Sequence, residues 1–274
     1  MPKNSGITLA VVHGVIELGK PEHNIGKIEE VLERARSEGV ELLLLPSMIN
    51  GTPIFELWQG IRVKRVAETI PGKTSDYLAG LANKFGVHIL VGPILERRGS
   101  KIYRSAFVVE PSMNIKFVAS QIVAPAGFGQ SSAIPIHKIM DVNVGIFIAE
   151  DVHLPELSLL MKIVGVDIAV FYPYPNTSPD RILSTLKVRA LELKAMVISV
   201  GCTVMRKSEE LMFMPTAIVD ENGSVLHEVL DRNTKMIKMV IPCNQRREMY
   251  VSSTAYKKLL KTLNKTLSYY LRDL

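Results

Sequence analysis

Cysteine supplies the most nucleophilic side chain at neutral pH, and this chain has two, Cys202 and Cys243. Neither has a histidine or another cysteine at metal-ligand spacing, so we expect no metal site and no cofactor. Cys202 follows a strand-length apolar run, but no neighbouring histidine is placed to activate its thiol. We therefore treat Cys202 as a residue that lines a pocket rather than as the nucleophile.

Two carboxylates and two tyrosines also follow apolar runs. Glu150 and Asp151 come directly after one run, and Tyr172 and Tyr174 alternate with prolines after another. Carboxylates transfer protons, and tyrosines stack on ligands or hydrogen-bond to them, so all four are candidates for lining a pocket. The structural alternatives are that Asp151 orders a turn, that Glu150 pairs with a cation, and that the tyrosines stiffen a loop.

The elements that must position these residues alternate along the chain. The apolar runs of strand length are 7–12, 41–45, 87–91, 142–148, 167–172 and 196–200. Helical spacing of apolar residues occurs in 24–38, 76–85, 155–164 and 181–194, and hairpins are indicated at 102–123 and 216–229. This mixture of crossovers and hairpins predicts an α/β fold with mixed sheets covered by helices.

Length and charge set broad limits. The 274 residues suit one large domain, and the formal net charge of +6 favours anionic partners only weakly. No apolar run approaches the roughly 20 residues of a membrane span, and the polar start of the chain does not resemble a signal peptide. We therefore expect a cytoplasmic protein that has no membrane partner.

The tail, residues 251–274, has a different pattern. Apolar residues recur at helical spacing through Tyr256, Leu259, Leu260, Leu263, Leu267 and Leu271, with lysines mostly off that stripe. This predicts an amphipathic helix that must pack on something, and we expect it at the interface of a homo-oligomer. A nucleic-acid partner is not favoured, because aromatic residues are not interleaved with the lysines.

Several short motifs occur together in a fixed order. They are Leu42–Pro46, Ile70–Gly72, Gly145–Ile148 followed by Asp151 and Pro155, Arg189–Glu192, and Arg246–Tyr250. In this order the chain resembles the nitrilase (carbon–nitrogen hydrolase) superfamily. The resemblance implies a four-layer αββα sandwich over residues 1–250, with two mixed sheets flanked by helices. It also implies subunits that pair.

The resemblance further implies a glutamate base, a lysine and a cysteine nucleophile that together hydrolyse amides or nitriles. The positions that match are Ser47 after Leu45-Pro46, Ser120 five residues before Pro125, and Ala149 two residues before Asp151. A methyl group cannot attack carbon, and a serine hydroxyl is neither a base near neutral pH nor a cation. The expected triad is therefore degenerate, and no catalytic residue is intact by this criterion.

The leading hypothesis from the sequence is a catalytically inactive relative that binds a small ligand or a protein partner. One alternative is a divergent carbon–nitrogen hydrolase with a rebuilt site, in which a serine would need a paired acid, and Glu150 is the only one that the resemblance places nearby. A further alternative is a basic scaffold that binds nucleic acid. An acid hydrogen-bonded to Ser47 or Ser120 would favour the rebuilt enzyme.

Overall fold

The computed structural model describes residues 6–54, 61–175, 178–242 and 254–270. The strands are β1 Gly6–Glu17, β2 Leu42–Leu45, β3 His88–Arg98, β4 Lys101–Val109, β5 Ile115–Ser120, β6 Ile136–Ile139, β7 Val142–Ile148, β8 Ile168–Tyr172, β9 Met196–Ser199, β10 Cys202–Arg206, β11 Glu209–Met214, β12 Thr216–Val219, β13 Val225–Val229 and β14 Lys235–Pro242. The helices are α1 Pro21–Ser37, α2 Ile61–Val66, α3 Lys73–Phe85, α4 Pro155–Val164, α5 Pro179–Leu193 and α6 Thr254–Tyr270. A short 3₁₀ helix covers Ala149–His153.

The strands form two mixed sheets. The first has the order β11-β10-β1-β2-β3-β4-β5, and the second has the order β13-β12-β9-β8-β7-β6. Strand β1 carries two partners on one side, since Gly6–His13 pairs antiparallel with β14 and Gly14–Glu17 pairs parallel with β10. The first and last strands of the sandwich are therefore hydrogen-bonded to each other.

Alternation of side chains along the strands produces three apolar cores. Leu9 and Leu44 of the first sheet face Val144 and Val170 of the second, which forms the core between the sheets. The opposite faces pack on helices: α1 and α3 cover the first sheet, and α4 and α5 cover the second. The result is a four-layer αββα arrangement, because central strands such as β2 and β8 are buried on both of their faces.

Strand direction brings several strand ends to one edge. Strands β1, β2 and β3 are mutually parallel, and β5 runs in the same direction because two antiparallel pairings separate it from β3. Strands β7, β8 and β9 are also parallel to each other. Ligands of α/β proteins bind outside the carboxyl ends of parallel strands, so this edge is where a site is expected.

The prediction of mixed sheets flanked by helices is confirmed, but the outer strands were missed. Strands β6, β10, β11 and β14 were not predicted, and the hairpin at 216–229 is not the last strand pair. The predicted closing motif Arg246–Tyr250 lies outside the described residues, so the division at residue 250 stays a prediction. Among the helices in the described ranges, none is long and apolar enough to cross a membrane.

Candidate active site

Ala149 occupies a strained turn at the end of β7. Its φ is +52°, in the left-handed region that side chains other than glycine rarely adopt, and its methyl group is fully buried. Such strain persists only where surrounding contacts over-determine the backbone, and it is concentrated at functional sites. The strained turn therefore supports Ala149 as a candidate site position, although its side chain cannot react.

Asp151 holds this turn against the end of β5. Its carboxylate accepts hydrogen bonds from the backbone N–H of Ile122 at 3.1 and 3.0 Å and of Val123 at 2.8 Å. Burial raises the pKa of Asp151 to about 6, and the backbone N–H groups of Val123 and Ile122 oppose that rise. Asp151 thus orders the turn, which is the structural alternative considered for it.

Ser120, at the end of β5, belongs to a hydrogen-bonded chain of two hydroxyls and a carboxylate. The Ser120 and Ser105 Oγ atoms are 2.7 Å apart, and Ser105 Oγ donates to Glu96 Oε2 at 2.5 Å. Ser105 has a single proton and gives it to Glu96, so the proton between the serines comes from Ser120. We call Ser120, Ser105 and Glu96 the serine–glutamate chain.

Arg98 closes the serine–glutamate chain on its solvent side. Its guanidinium donates to Glu96 Oε2 at 2.6 Å, to Glu96 Oε1 at 3.2 Å and to Ser120 Oγ at 3.3 Å. The two serines and Glu96 are buried, whereas the Arg98 side chain is 45% exposed. The chain therefore combines a hydroxyl, a proton acceptor and a cation, and it connects the buried hydroxyls to solvent.

A second buried polar group links the three predicted positions. Arg104 donates from Nε to the backbone carbonyl of Ile54 at 2.8 Å and from a terminal nitrogen to Gln121 Oε1 at 2.9 Å. Gln121 in turn donates to Glu150 Oε2 at 2.6 Å. This Arg104–Gln121–Glu150 network joins the segment after Ser47, the residue after Ser120 and the residue after Ala149.

The network indicates that Glu150 pairs with a cation, which is the structural alternative considered for it, and is not the acid partner that a rebuilt serine site would need. Its carboxylate is already engaged by Gln121, and no described hydrogen bond joins it to either predicted serine. Burial lowers the pKa of Arg104, while the negative charge of Glu150 acts in the opposite direction. Glu150 therefore balances a buried cation, and the acid linked to Ser120 is Glu96.

Two of the predicted pocket residues carry buried hydroxyls that lack partners. Among the described residues, neither Ser47 Oγ nor Tyr172 Oη has a hydrogen-bond partner, although both atoms are fully buried. Tyr172 pairs with Ile148 in the sheet, one residue from Ala149, and burial raises its pKa. Unsatisfied buried groups of this kind call for an explanation, and a polar ligand at the strand ends would supply one.

The remaining predicted residues fall into two places. Tyr174 packs on the core between the sheets and hydrogen-bonds through its hydroxyl to His153 Nε2 at 3.2 Å. Cys202 belongs instead to the core between the first sheet and its helices, and burial raises its pKa far above neutrality. Its inclusion as a pocket residue beside Ala149 is therefore not supported by the packing.

No metal cluster accompanies these groups in the part of the chain that the structure describes, since no three histidine, cysteine or carboxylate side chains there are placed to share an ion. A buried histidine, His13, hydrogen-bonds to Thr216 at 3.0 Å and lies 3.4 Å from the hydroxyl of Thr203. Burial lowers the pKa of His13 to about 4, so it is neutral near pH 7. It joins β1 to the start of β12.

Sequence reasoning missed Glu96, Ser105 and Arg98 as site residues. The run 87–91 predicts only part of a strand, whereas β3 continues to Arg98 and places Glu96 in the interior. The alternation of side chains along a strand could have shown that Ile94, Glu96 and Arg98 share one face of β3. The register of β4 and β5 places Ser105 and Ser120 beside that face. Only the pairing register reveals that these residues meet.

The comparisons identify the family. The carbon–nitrogen hydrolase family profile matches residues 8–249, so this chain belongs to that family. It is 25% identical to a nitrilase of Pyrococcus abyssi over 202 residues, covering 70% of this chain and 74% of that protein. It is 23% identical to the 2-oxoglutaramate amidase of Bacillus subtilis over 269 residues, covering 93% and 98%.

Solved structures agree on the fold. An amidase of Nesterenkonia from the nitrilase superfamily superposes with a TM-score of 0.74 at 17% identity, over 96% of this chain and 98% of the other. At this identity the match establishes the shared architecture alone. The αββα sandwich predicted from the sequence motifs is thus confirmed.

The leading sequence hypothesis, a catalytically inactive relative, is wrong by these comparisons. The named relatives are a nitrilase and amidases, which favours a hydrolase and so the alternative reading. The premise of that hypothesis was that Ser47, Ser120 and Ala149 together supply no nucleophile, base or cation. The serine–glutamate chain offers a different source of these groups, because Ser120 reaches the Glu96 carboxylate through Ser105.

Proposed function

We propose that this protein is a carbon–nitrogen hydrolase that cleaves small amides with a rebuilt site in which Ser120 is the nucleophile. The observation that carries the proposal is the serine–glutamate chain, which supplies the hydroxyl–acid pairing that a serine nucleophile requires. The relatives support amides or nitriles as the substrate class. Among these we favour amides, because the leaving amine needs a proton that Glu96 can return.

In the first step, Ser120 Oγ attacks the amide carbon and forms a C–O bond. The Ser120 proton passes to Ser105 Oγ as the Ser105 proton passes to Glu96, so the carboxylate becomes a carboxylic acid. The carbonyl oxygen becomes an oxyanion, and the Arg98 guanidinium, 3.3 Å from Ser120 Oγ, is placed to stabilise it.

In the second step, the proton returns along the same route to the departing nitrogen. The C–N bond breaks, ammonia or an amine leaves, and Ser120 holds the acyl group as an ester. Water then attacks the ester while Glu96 accepts its proton through Ser105, which releases a carboxylic acid and restores Ser120. Because Glu96 acts on Ser120 only through Ser105, two protons must move in each step, so we expect slow turnover.

The decisive experiment measures ammonia release from a panel of small carboxamides by purified protein. Substitution Ser120→Ala should lower turnover at least a hundredfold, since it removes the nucleophile. Ser112→Ala, on the exposed turn after β4, is the matched control and should leave turnover unchanged. Turnover that is equal in Ser120→Ala, or absent with every carboxamide, would overturn the proposal.

Mass spectrometry separates this route from a water-mediated one. Rapid quenching during turnover should show a Ser120-containing peptide heavier by the acyl group of the substrate. Glu96→Gln should still bind substrate but accumulate no acyl-enzyme, because the proton from Ser120 has no acceptor. A labelled peptide that contains another nucleophile would contradict the assignment to Ser120.

We also propose that the enzyme is a cytoplasmic homodimer that pairs through α4 and α5. The support is a surface pocket of about 370 Å³ lined by Pro155, Glu156, Ser158, Leu159, Lys162 and Glu192, with exposed Val164, Val188 and Leu191 on the same two helices. Apolar exposure of this kind favours self-association, and twofold pairing is its commonest outcome. The free, buried Cys202 suits a reducing compartment.

Light scattering tests the pairing. Val188→Glu should shift the protein from the dimer mass to the monomer mass, because it places a charge in the proposed apolar contact. Lys101→Glu, at the exposed start of β4 and away from both helices, is the control and should leave the mass unchanged. A monomer mass for the unmodified protein at micromolar concentration would contradict the pairing.

A further inference from the structure

The C-terminal helix α6 presents an apolar stripe that the sandwich does not cover. Leu259, Leu263 and Leu267 are 51%, 41% and 56% exposed, and they recur every four residues along one side of the helix. Apolar residues on a helix surface normally face a core, and scattered exposure would need no comment. A continuous stripe of three exposed leucines indicates a surface that has an occupant.

The opposite side of α6 is uniformly basic. Residues 254–270 contain four lysines, Lys257, Lys258, Lys261 and Lys265, and no aspartate or glutamate. At about 3.6 residues per turn, these lysines project away from the leucine stripe. Within the described ranges, the ion pairs all lie in the sandwich, and none of them neutralises these lysines.

We propose that α6 binds the surface of an anionic lipid bilayer, lying in the interface with its leucines inserted. This membrane contact is independent of the hydrolase site. Helices that combine an apolar face with a lysine-rich polar face, and that are too polar to span a bilayer, lie in the membrane interface in this way. Cytoplasmic leaflets carry anionic lipids, which attract basic segments.

Charge favours a bilayer over a second copy of the helix. Two α6 helices packed through their leucines would leave all eight lysines on the outer faces of the pair, with no acidic residue of either helix to compensate them. A bilayer that contains anionic lipid provides both the apolar interior and the opposite charge. This proposal departs from our expectation that this protein has no membrane partner.

Flotation of the full-length protein with vesicles tests the proposal. It should bind vesicles of phosphatidylcholine mixed with phosphatidylglycerol, bind pure phosphatidylcholine vesicles much more weakly, and dissociate at high salt. Exchanging Leu259, Leu263 and Leu267 for serine should reduce the partition coefficient at least a hundredfold, since each leucine contributes roughly tenfold or more. Each Lys→Gln exchange in α6 should reduce it about fivefold.

Matched controls separate the helix from the general basic charge of the protein. Lys101→Gln and Lys187→Gln remove the same charge from exposed positions elsewhere, and they should leave the partition coefficient within about twofold, because those lysines lie off α6. All variants should keep the thermal unfolding midpoint of the sandwich, because the exchanged side chains are exposed.

Three results would overturn the proposal. One is absence of binding to anionic vesicles by the unmodified protein. Another is that the leucine-to-serine variant changes the oligomer mass while vesicle binding is unaffected, which would assign α6 to a second copy. The last is that vesicle binding depends on the lysines but not on the leucines, and that the protein binds double-stranded DNA equally well. This result would assign α6 to nucleic acid.

Discussion

The turn at Ala149 and the adjoining strands β3, β4 and β5 contribute different things to the same edge of the sandwich. The turn keeps a strained backbone and its Asp151 anchor but carries only a methyl group. The three strands hold a hydroxyl, an acid and a cation in contact. The geometry of a site and its chemistry are therefore borne by different residues, and each can be tested without the other.

The largest effect expected is on catalysis at the serine–glutamate chain. Glu96→Gln keeps the size and most hydrogen bonds of Glu96 but removes the proton acceptor, so kcat should fall about a hundred- to ten-thousandfold. The free energy of unfolding should change little by comparison. Steady-state kinetics and urea unfolding on one preparation check both. Equal kcat for Glu96→Gln and the unmodified enzyme would place the chemistry elsewhere, with the turn as the next candidate.

The next effect concerns pH and stability at the turn. The folded pKa of Asp151 is raised to about 6, so the folded state binds more protons than the unfolded state between about pH 4 and pH 6. The Asp151 contribution to stability therefore falls as pH rises through this window, by up to about 3 kcal/mol. Asp151→Asn should remove this loss, so its stability relative to the unmodified protein should increase from pH 4 to pH 6.

His13 provides the opposite case and the control. Its folded pKa is lowered to about 4, so the unfolded state binds the extra proton, and the His13 contribution to stability rises with pH up to about 6.5. The free energy of unfolding of His13→Gln, relative to that of the unmodified protein, should decrease with rising pH. Over the same pH window the relative free energy of unfolding of Asp151→Asn should increase. Difference curves of the same sign for the two variants would contradict the assignment of both shifts to burial.

Arg104 lies on β4, and through Gln121 its hydrogen bonds connect the strands to Glu150 of the turn. Arg104→Met should leave Gln121 Oε1 and the Ile54 carbonyl without donors and should cost about 2 kcal/mol in the free energy of unfolding. Arg104→Lys keeps the charge but not the forked geometry, and it should recover only part of that loss. Full recovery by lysine would mean that charge, rather than the bridging hydrogen bonds, is what the site needs.

The smallest effect is expected from restoring the thiol. Ala149→Cys should change amide turnover less than about twofold, because a buried thiol beside Glu150 has a raised pKa and stays protonated. The acyl group should still be found on the peptide that contains Ser120. A large gain in turnover, with the acyl group on the new cysteine, would show that the turn retains its chemistry and would reverse the comparison.

Apolar patterning was enough to predict the layers of the fold. Strand β7 and helix α4 have the bounds that periodicity gave, because each buries a continuous apolar face and α4 is bracketed by proline and glycine. The outer strands were missed for a physical reason. Strands β6 and β14 each bury only one residue, and His137, Lys138 and Lys238 interrupt their apolar residues, so they lack the continuous apolar run that marks a buried strand.

For the site, the sequence predicted the positions of candidate residues along the chain but not the side chains that they contact. The positions of Ser47, Ser120 and Ala149 followed from motif spacing, and contacts of neighbouring residues link their segments, although their shared role stays a prediction. Glu96 was not predictable, since a carboxylate in the middle of a strand is usually solvated. Its burial depends on Ser105 and Arg98, which lie on a hairpin whose register local sequence does not specify.

The split pairing of β1 has a consequence for how the chain reaches this fold. Because β1 is hydrogen-bonded along most of its length to β14, the first sheet cannot close until residues 235–242 have left the ribosome. The second sheet is built from residues 136–229 and can assemble earlier. Contacts between such distant segments slow folding. Meanwhile one edge of β1 remains open, which makes the nascent chain a natural client for chaperones that shield unpaired strands.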